Sequence, residues 1–175
     1  FTVFNTGNPP EILHNDVWRL LPDAKGGLWV GIRGGGLVYV LGTVFTHYGL
    51  EQGLSNDAVQ SMSQARDGSL WIATRGGGLN HFQNGKFTAF HQSKGLANDT
   101  VYAVLAYSKG RVWAGTDGGG LTLLENGSFS TLSKKTGLPN DTVYALSEDA
   151  DGSVWIGTGA GLVRWHNGQL TTYTV

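Results

Sequence analysis

Apolar residues in this chain gather in short runs, and each run stops at a glycine or at an Asn/Asp turn. The stretch from Gly53 shows the pattern once through. Gly53-Leu54-Ser55-Asn56-Asp57 is a turn-rich lead-in, and Val59–Gln64 is a short strand candidate. Arg66-Asp67-Gly68-Ser69 is a turn, and Leu70–Thr74 is a β-rich run around Trp71. Gly76-Gly77-Gly78 breaks that run, and Leu79–Gln83 makes a third strand. Asn84-Gly85 is the strongest short hairpin signal, and Lys86–His91 supplies the fourth strand. Each unit reads as four antiparallel strands with no helical period.

The unit recurs. Trp29, Trp71, Trp113 and Trp155 stand 42 residues apart each time, and a fixed period of this size marks a repeat architecture. The third unit aligns without a gap through Gly95-Leu96, Asn98-Asp99, Trp113, Gly118–Gly120 and Asn126-Gly127. The fourth loses one residue in its glycine loop, giving Gly159-Ala160-Gly161. The first is the most divergent: His14-Asn15-Asp16-Val17 is shifted, Gly42-Thr43 replaces Asn-Gly, and Pro9-Pro10 sits in a longer lead-in. A four-stranded unit cannot bury both faces alone, whereas sheets arranged radially do, as in a β-propeller. The expected fold is therefore all-β, a propeller of four-stranded antiparallel blades. The tryptophans would wedge between blades, with Phe45, Phe87, Phe129 and Leu170 anchoring the outer strands.

The set G-L-x-N-D-x-V, D-G-S-[LV]-W-I-[AG]-T, G-G-G-L and N-G, as it stands here, resembles the two-component regulator propeller repeat. It covers essentially the whole chain and lacks the WD dipeptide pattern of WD40 blades. The resemblance implies a periplasmic or extracytoplasmic sensor propeller that relays a cue, often an oligosaccharide, to a signalling kinase.

Expected boundaries are an outer strand at 1–4, shared with or preceding the ring, then blades at 5–48, 49–90, 91–132 and 133–175. An open half-ring exposes apolar blade faces, which soluble monomers rarely tolerate. Self-association is therefore expected, as a dimer completing an eight-bladed ring, unless remaining blades of a longer parent cover those faces.

Composition adds four exclusions. Gly is 28 of 175 residues without a Gly-X-Y period, which argues against collagen and is explained by the repeated turns. Formal charge is −1 with no basic stripe, so a nucleic-acid partner lacks its driving force. No apolar run reaches the length of a membrane helix, and the absence of cysteine excludes a disulfide framework.

Candidate chemistry lies on the face that gathers the lead-in turns and glycine loops. Four residues after each tryptophan come Arg33, Arg75, Asp117 and Gly159. Variation at one fixed site is how repeat scaffolds present different groups to a ligand. The two arginines suit a carboxylate or sulfate, with solvated loop charges or inter-blade ion pairs as the plainer reading. After the first-strand valine come Trp18, Gln60, Tyr102 and Tyr144, placed to line the channel mouth and stack on a sugar ring, or to pack between blades. The Asn-Asp pairs read as turn devices. The five histidines show no metal spacing, no serine–histidine–acid set emerges, and no cofactor or catalytic residue is called for. A sensing or interaction propeller is expected. The alternatives are an excised or engineered half-propeller that only self-assembles, and a propeller lyase or lactonase.

Overall fold

The computed structural model describes residues 14–173, and over that span the chain folds into four antiparallel four-stranded sheets. The first holds β1 (Val17–Pro22), β2 (Leu28–Ile32), β3 (Gly36–Leu41) and β4 (Val44–Tyr48). The second holds β5 (Val59–Gln64), β6 (Leu70–Thr74), β7 (Leu79–Gln83) and β8 (Lys86–Phe90). The third holds β9 (Val101–Ala106), β10 (Val112–Thr116), β11 (Leu121–Glu125) and β12 (Ser128–Leu132). The fourth holds β13 (Val143–Glu148), β14 (Val154–Thr158), β15 (Gly161–His166) and β16 (Gln169–Tyr173). Every sheet is a meander in chain order, and the architecture is a β-propeller with four blades. The expected strand at Phe1–Phe4 and the Pro9-Pro10 lead-in lie outside the described residues.

Local chemistry sets the turns. Asn84 and Gly85 have φ of 51° and 77°, and Asn126-Gly127 and Asn167-Gly168 repeat these values closely. Positive φ at both central positions matches the twist of a two-residue hairpin. One departure from the all-strand reading is a single 3-10 turn before blades two, three and four, at Leu50–Gln52, Gln92–Lys94 and Lys134–Thr136. Each of these turns ends at a left-handed glycine. Asp99 and Asp141 accept the first amide of their turn through Oδ1, at 2.8 and 2.6 Å. The neighbouring Asn56, Asn98 and Asn140 each accept the amide two residues on, the Asx turn expected of them.

The tryptophans are the wedges between blades. Trp29 is buried with Leu54, Val59, Met62, Leu70 and Ile72 of the second blade. Trp71 is buried with Leu96, Val101, Val104, Val112 and Leu124 of the third. Trp113 is buried with Leu138, Val143, Val154 and Ile156 of the fourth, and meets Trp165 edge-on at 4.9 Å. Trp155, on the last blade, is half-buried beside Tyr173 and Arg164. Phe45, Phe87, Phe129 and Leu170 are half-buried on their outer strands.

Two further devices hold the blades together. The carbonyls of Asp57, Asp99 and Asp141 accept the amides of Gly36, Gly78 and Gly120, at 2.9, 2.7 and 2.7 Å. Each glycine loop therefore clasps the next blade's lead-in. Gly78, at φ 78°, shows why the loop is glycine: a Cβ there would run into the Phe90 carbonyl. At the middle seam, the hydroxyls of Ser61 and Ser63 accept the amides of Val104 and Ala106, at 3.3 and 2.9 Å.

Candidate functional site

The inner strands β1, β5, β9 and β13 pack in succession, and each carries a β-bulge at the same place. Val17 pairs with Ile32 and Arg19 with Gly31, so Trp18 has no partner. The skipped residue is Gln60 in the second blade, Tyr102 in the third and Tyr144 in the fourth. These are the four channel-mouth positions singled out from the sequence. A bulge bends its strand and re-aims the extra side chain, so the fold treats these positions as a set.

The surroundings of the four differ. In the first blade, Trp18 donates its indole N–H to Asp16 at 2.9 Å, and the Arg33 guanidinium lies 5.0 Å from the indole centre. Arg33 also comes within 3.8 Å of the Asp16 carboxylate, with both side chains about half exposed. Gln60 is buried. In the third and fourth blades, Tyr102 and Tyr144 stand 5.5 Å apart with their planes 33° from parallel. The Tyr102 phenol titrates above its ordinary value, first through burial and then through its hydrogen bond with Asp117; Arg75 acts in the opposite sense.

The structure thus brings Arg75, Tyr102, Asp117 and Tyr144 together across three blades. It keeps Trp18 and Arg33 in a separate group with Asp16. The backbone explains the convergence: the amides of Arg75 and Asp117 bond to the carbonyls of Ala58 and Thr100, immediately before the inner strands. The fourth loop does likewise through Gly159 and Thr142. Sequence reasoning missed Asp16. Its signal was the shifted Asn15-Asp16 of the first blade, which puts an acid where the later blades have Ala58, Thr100 and Thr142.

Other polar groups have structural partners. Glu125 pairs with Arg111 at 2.8 Å, and Glu148 accepts the Ser108 amide across the third seam at 2.9 Å. His81 stacks on Trp71 at 4.3 Å, and burial lowers its pKa against the opposing charge of Asp67. Asp57 Oδ1 is buried without a hydrogen-bond partner. Among the described residues, no group of three or more His, Cys, Asp or Glu is placed to hold a metal. Two cavities lie elsewhere, over the first two seams beside the turns that join the first and second strands. One of about 490 Å³ is lined by Trp29, Tyr39 and Phe82, and one of about 350 Å³ by Trp71, His81 and Arg111.

Residues 53–76 and 137–160 match the sequence model described as "Two component regulator propeller". These two segments are similar to the two-component regulator propeller repeat. Both segments run from the Gly-Leu lead-in, through the tryptophan strand, into the glycine loop. Solved structures resemble the chain in fold. The extracellular domain of a hybrid two component system from B. thetaiotaomicron is 24% identical at a TM-score of 0.70, covering 93% of this chain and 29% of its own. The extracellular domain of a one component system from the same organism is 17% identical at 0.78, covering 93% and 25%. Virginiamycin B lyase from Staphylococcus aureus is 16% identical at 0.71, covering 91% and 55%. The chain therefore spans between a quarter and somewhat over half of these proteins. No curated protein matches it significantly.

Proposed function

We propose that the chain is a non-catalytic sensing or interaction propeller, working outside the cytoplasm, with its binding face at the glycine-loop end of the inner strands. The observation that carries this reading is the bulge repeated at Trp18, Gln60, Tyr102 and Tyr144. Four blades spend ladder hydrogen bonds to re-aim one residue each, and the residues chosen differ from blade to blade. Two phenol rings, a guanidinium and a carboxylate on one rim suit an oligosaccharide. The rings supply apolar faces for the sugar, and Arg75 and Asp117 supply a donor and an acceptor for its hydroxyls. The repeat family and the extracellular receptor domains of similar fold support a role upstream of a signalling domain.

Calorimetry of the chain against a broad panel of neutral and acidic oligosaccharides tests the ligand. One class should bind, and Tyr102→Ala or Arg75→Ala should each weaken it by roughly tenfold. A folded chain that gives no heat with any of them refutes oligosaccharide sensing and favours the assembly scaffold. Turnover of a bound ligand would instead favour a propeller lyase.

A further inference from the structure

The seams between successive blades are built alike, and one side chain differs among them in a way that leaves space. The turn between the first two strands of each blade opens on a residue whose amide bonds to the carbonyl four residues on. That residue is Asp23, Ala65, Tyr107 and Asp149 in turn. In the third seam Tyr107 is the filling. Its ring is buried and meets Trp113 and Trp165 edge-on, at 6.2 Å each. Its hydroxyl donates to the Gly152 carbonyl of the next blade at 2.6 Å.

The second seam has the same frame without the filling. Ala65 stands where Tyr107 does, and Leu124 pairs with Val112 as Trp165 pairs with Val154. The gap is the cavity of about 350 Å³, within the span of small-ligand sites, about 300–1,000 Å³. Trp71 and His81 form one wall, stacked at 4.3 Å and 24° from parallel. Burial lowers the His81 pKa, so its ring is neutral at neutral pH and adds apolar surface. Gly110, the counterpart of Gly152, lies at the other wall, and among the described residues no hydrogen bond reaches its carbonyl. The first seam differs. There Gln64 already donates to the corresponding Gly68 carbonyl at 3.2 Å, and Asp23 accepts the Tyr39 hydroxyl at 2.6 Å.

We infer that the second seam binds a single hydroxylated aromatic ring, from a small phenol or from a tyrosine of another protein. The ring lies where Tyr107 lies one seam on, and its hydroxyl donates to the Gly110 carbonyl. It gains there the dispersion contacts that Tyr107 makes in the third seam. The site is separate from the glycine-loop rim and stands whether or not a sugar binds there.

Calorimetry with p-cresol tests it, with a dissociation constant of about a millimolar expected for so few atoms. Toluene, which lacks the donor, should bind about fivefold more weakly. Ala65→Tyr should fill the gap from within and abolish the p-cresol heat while circular dichroism stays native. Ala65→Leu, a smaller filling, should weaken it and covers the case in which tyrosine overfills the seam. Tyr107→Ala should open the corresponding space in the third seam, and p-cresol should raise the thermal midpoint of that variant by more than that of the wild type. N-acetyltyrosinamide separates the sources: binding as tight as p-cresol assigns the ring to a protein tyrosine, and binding of p-cresol alone assigns it to a free phenol. No heat with p-cresol, toluene bound as tightly, or binding unchanged by both Ala65 variants overturns the inference.

Discussion

Replacing Trp113 by alanine removes the wedge from the third seam, and the structure sets the size of the effect. The indole is fully buried, and its N–H has no hydrogen-bond partner, so the whole loss is packing. A buried tryptophan removes roughly 200 Å² from water, which at about 25 cal/mol per Å² is roughly 5 kcal/mol. Residual burial in the unfolded chain reduces this to about 4 kcal/mol, within the usual range for Trp→Ala. Trp155→Ala is the same chemical change at a half-buried ring, and it should cost about half as much. With a urea m value of about 2 kcal/mol/M, the denaturation midpoints should fall by about 2 M and about 1 M. Equal shifts at the two positions, or a larger one at Trp155, would refute the wedge as the source of inter-blade stability.

Two further outcomes follow from local geometry. Gly78→Ala forces a Cβ against the Phe90 carbonyl at a positive φ, whereas Gly85→Ala, also at positive φ, meets open space. The first should cost about 3 kcal/mol and the second about 1, read as urea midpoints. The side chain and amide of Ser153, with help from Arg164, hold Asp151 at about 2 against an ordinary value of 3.8. A folded pKa below the unfolded one stabilises above the unfolded value and is lost as pH falls toward the folded one. Asp151→Asn should therefore flatten the decline in stability between about pH 4.5 and about pH 1.5, and an unchanged pH profile would show the interaction is spent in solvent.

The blades were legible in the sequence because their signals are local and repeat at a fixed period. Asn84-Gly85 carries its own turn geometry, and the apolar run around Trp71 carries its own burial. The shared bulge was not legible, because it is a property of two strands in register: nothing in the type of Trp18, Gln60, Tyr102 or Tyr144 announces a missing partner. The three 3-10 turns are too short to show a period. The convergence of Arg75 with Tyr102 and Asp117 joins residues of adjacent blades, so it depends on how the sheets are rotated against one another. Asp16 escaped notice because the first blade is out of step by one position, and its pairing with Arg33 follows from that slip.

The two serine hydroxyls of the middle seam have a consequence for colloidal behaviour. An inner strand is the margin of its sheet, and unsatisfied amides along such a margin invite pairing with a foreign extended segment. For β9, two of those donors are already taken by Ser61 and Ser63. At the matching positions the flanking seams hold Arg19 and Leu21, or Ala103 and Leu105, and only the arginine among these carries a polar side chain, one that donates and cannot accept. On this ground β9 is the inner strand best guarded against an intruding peptide, and β1, with Val17 and Leu20 exposed, is the one most open to it.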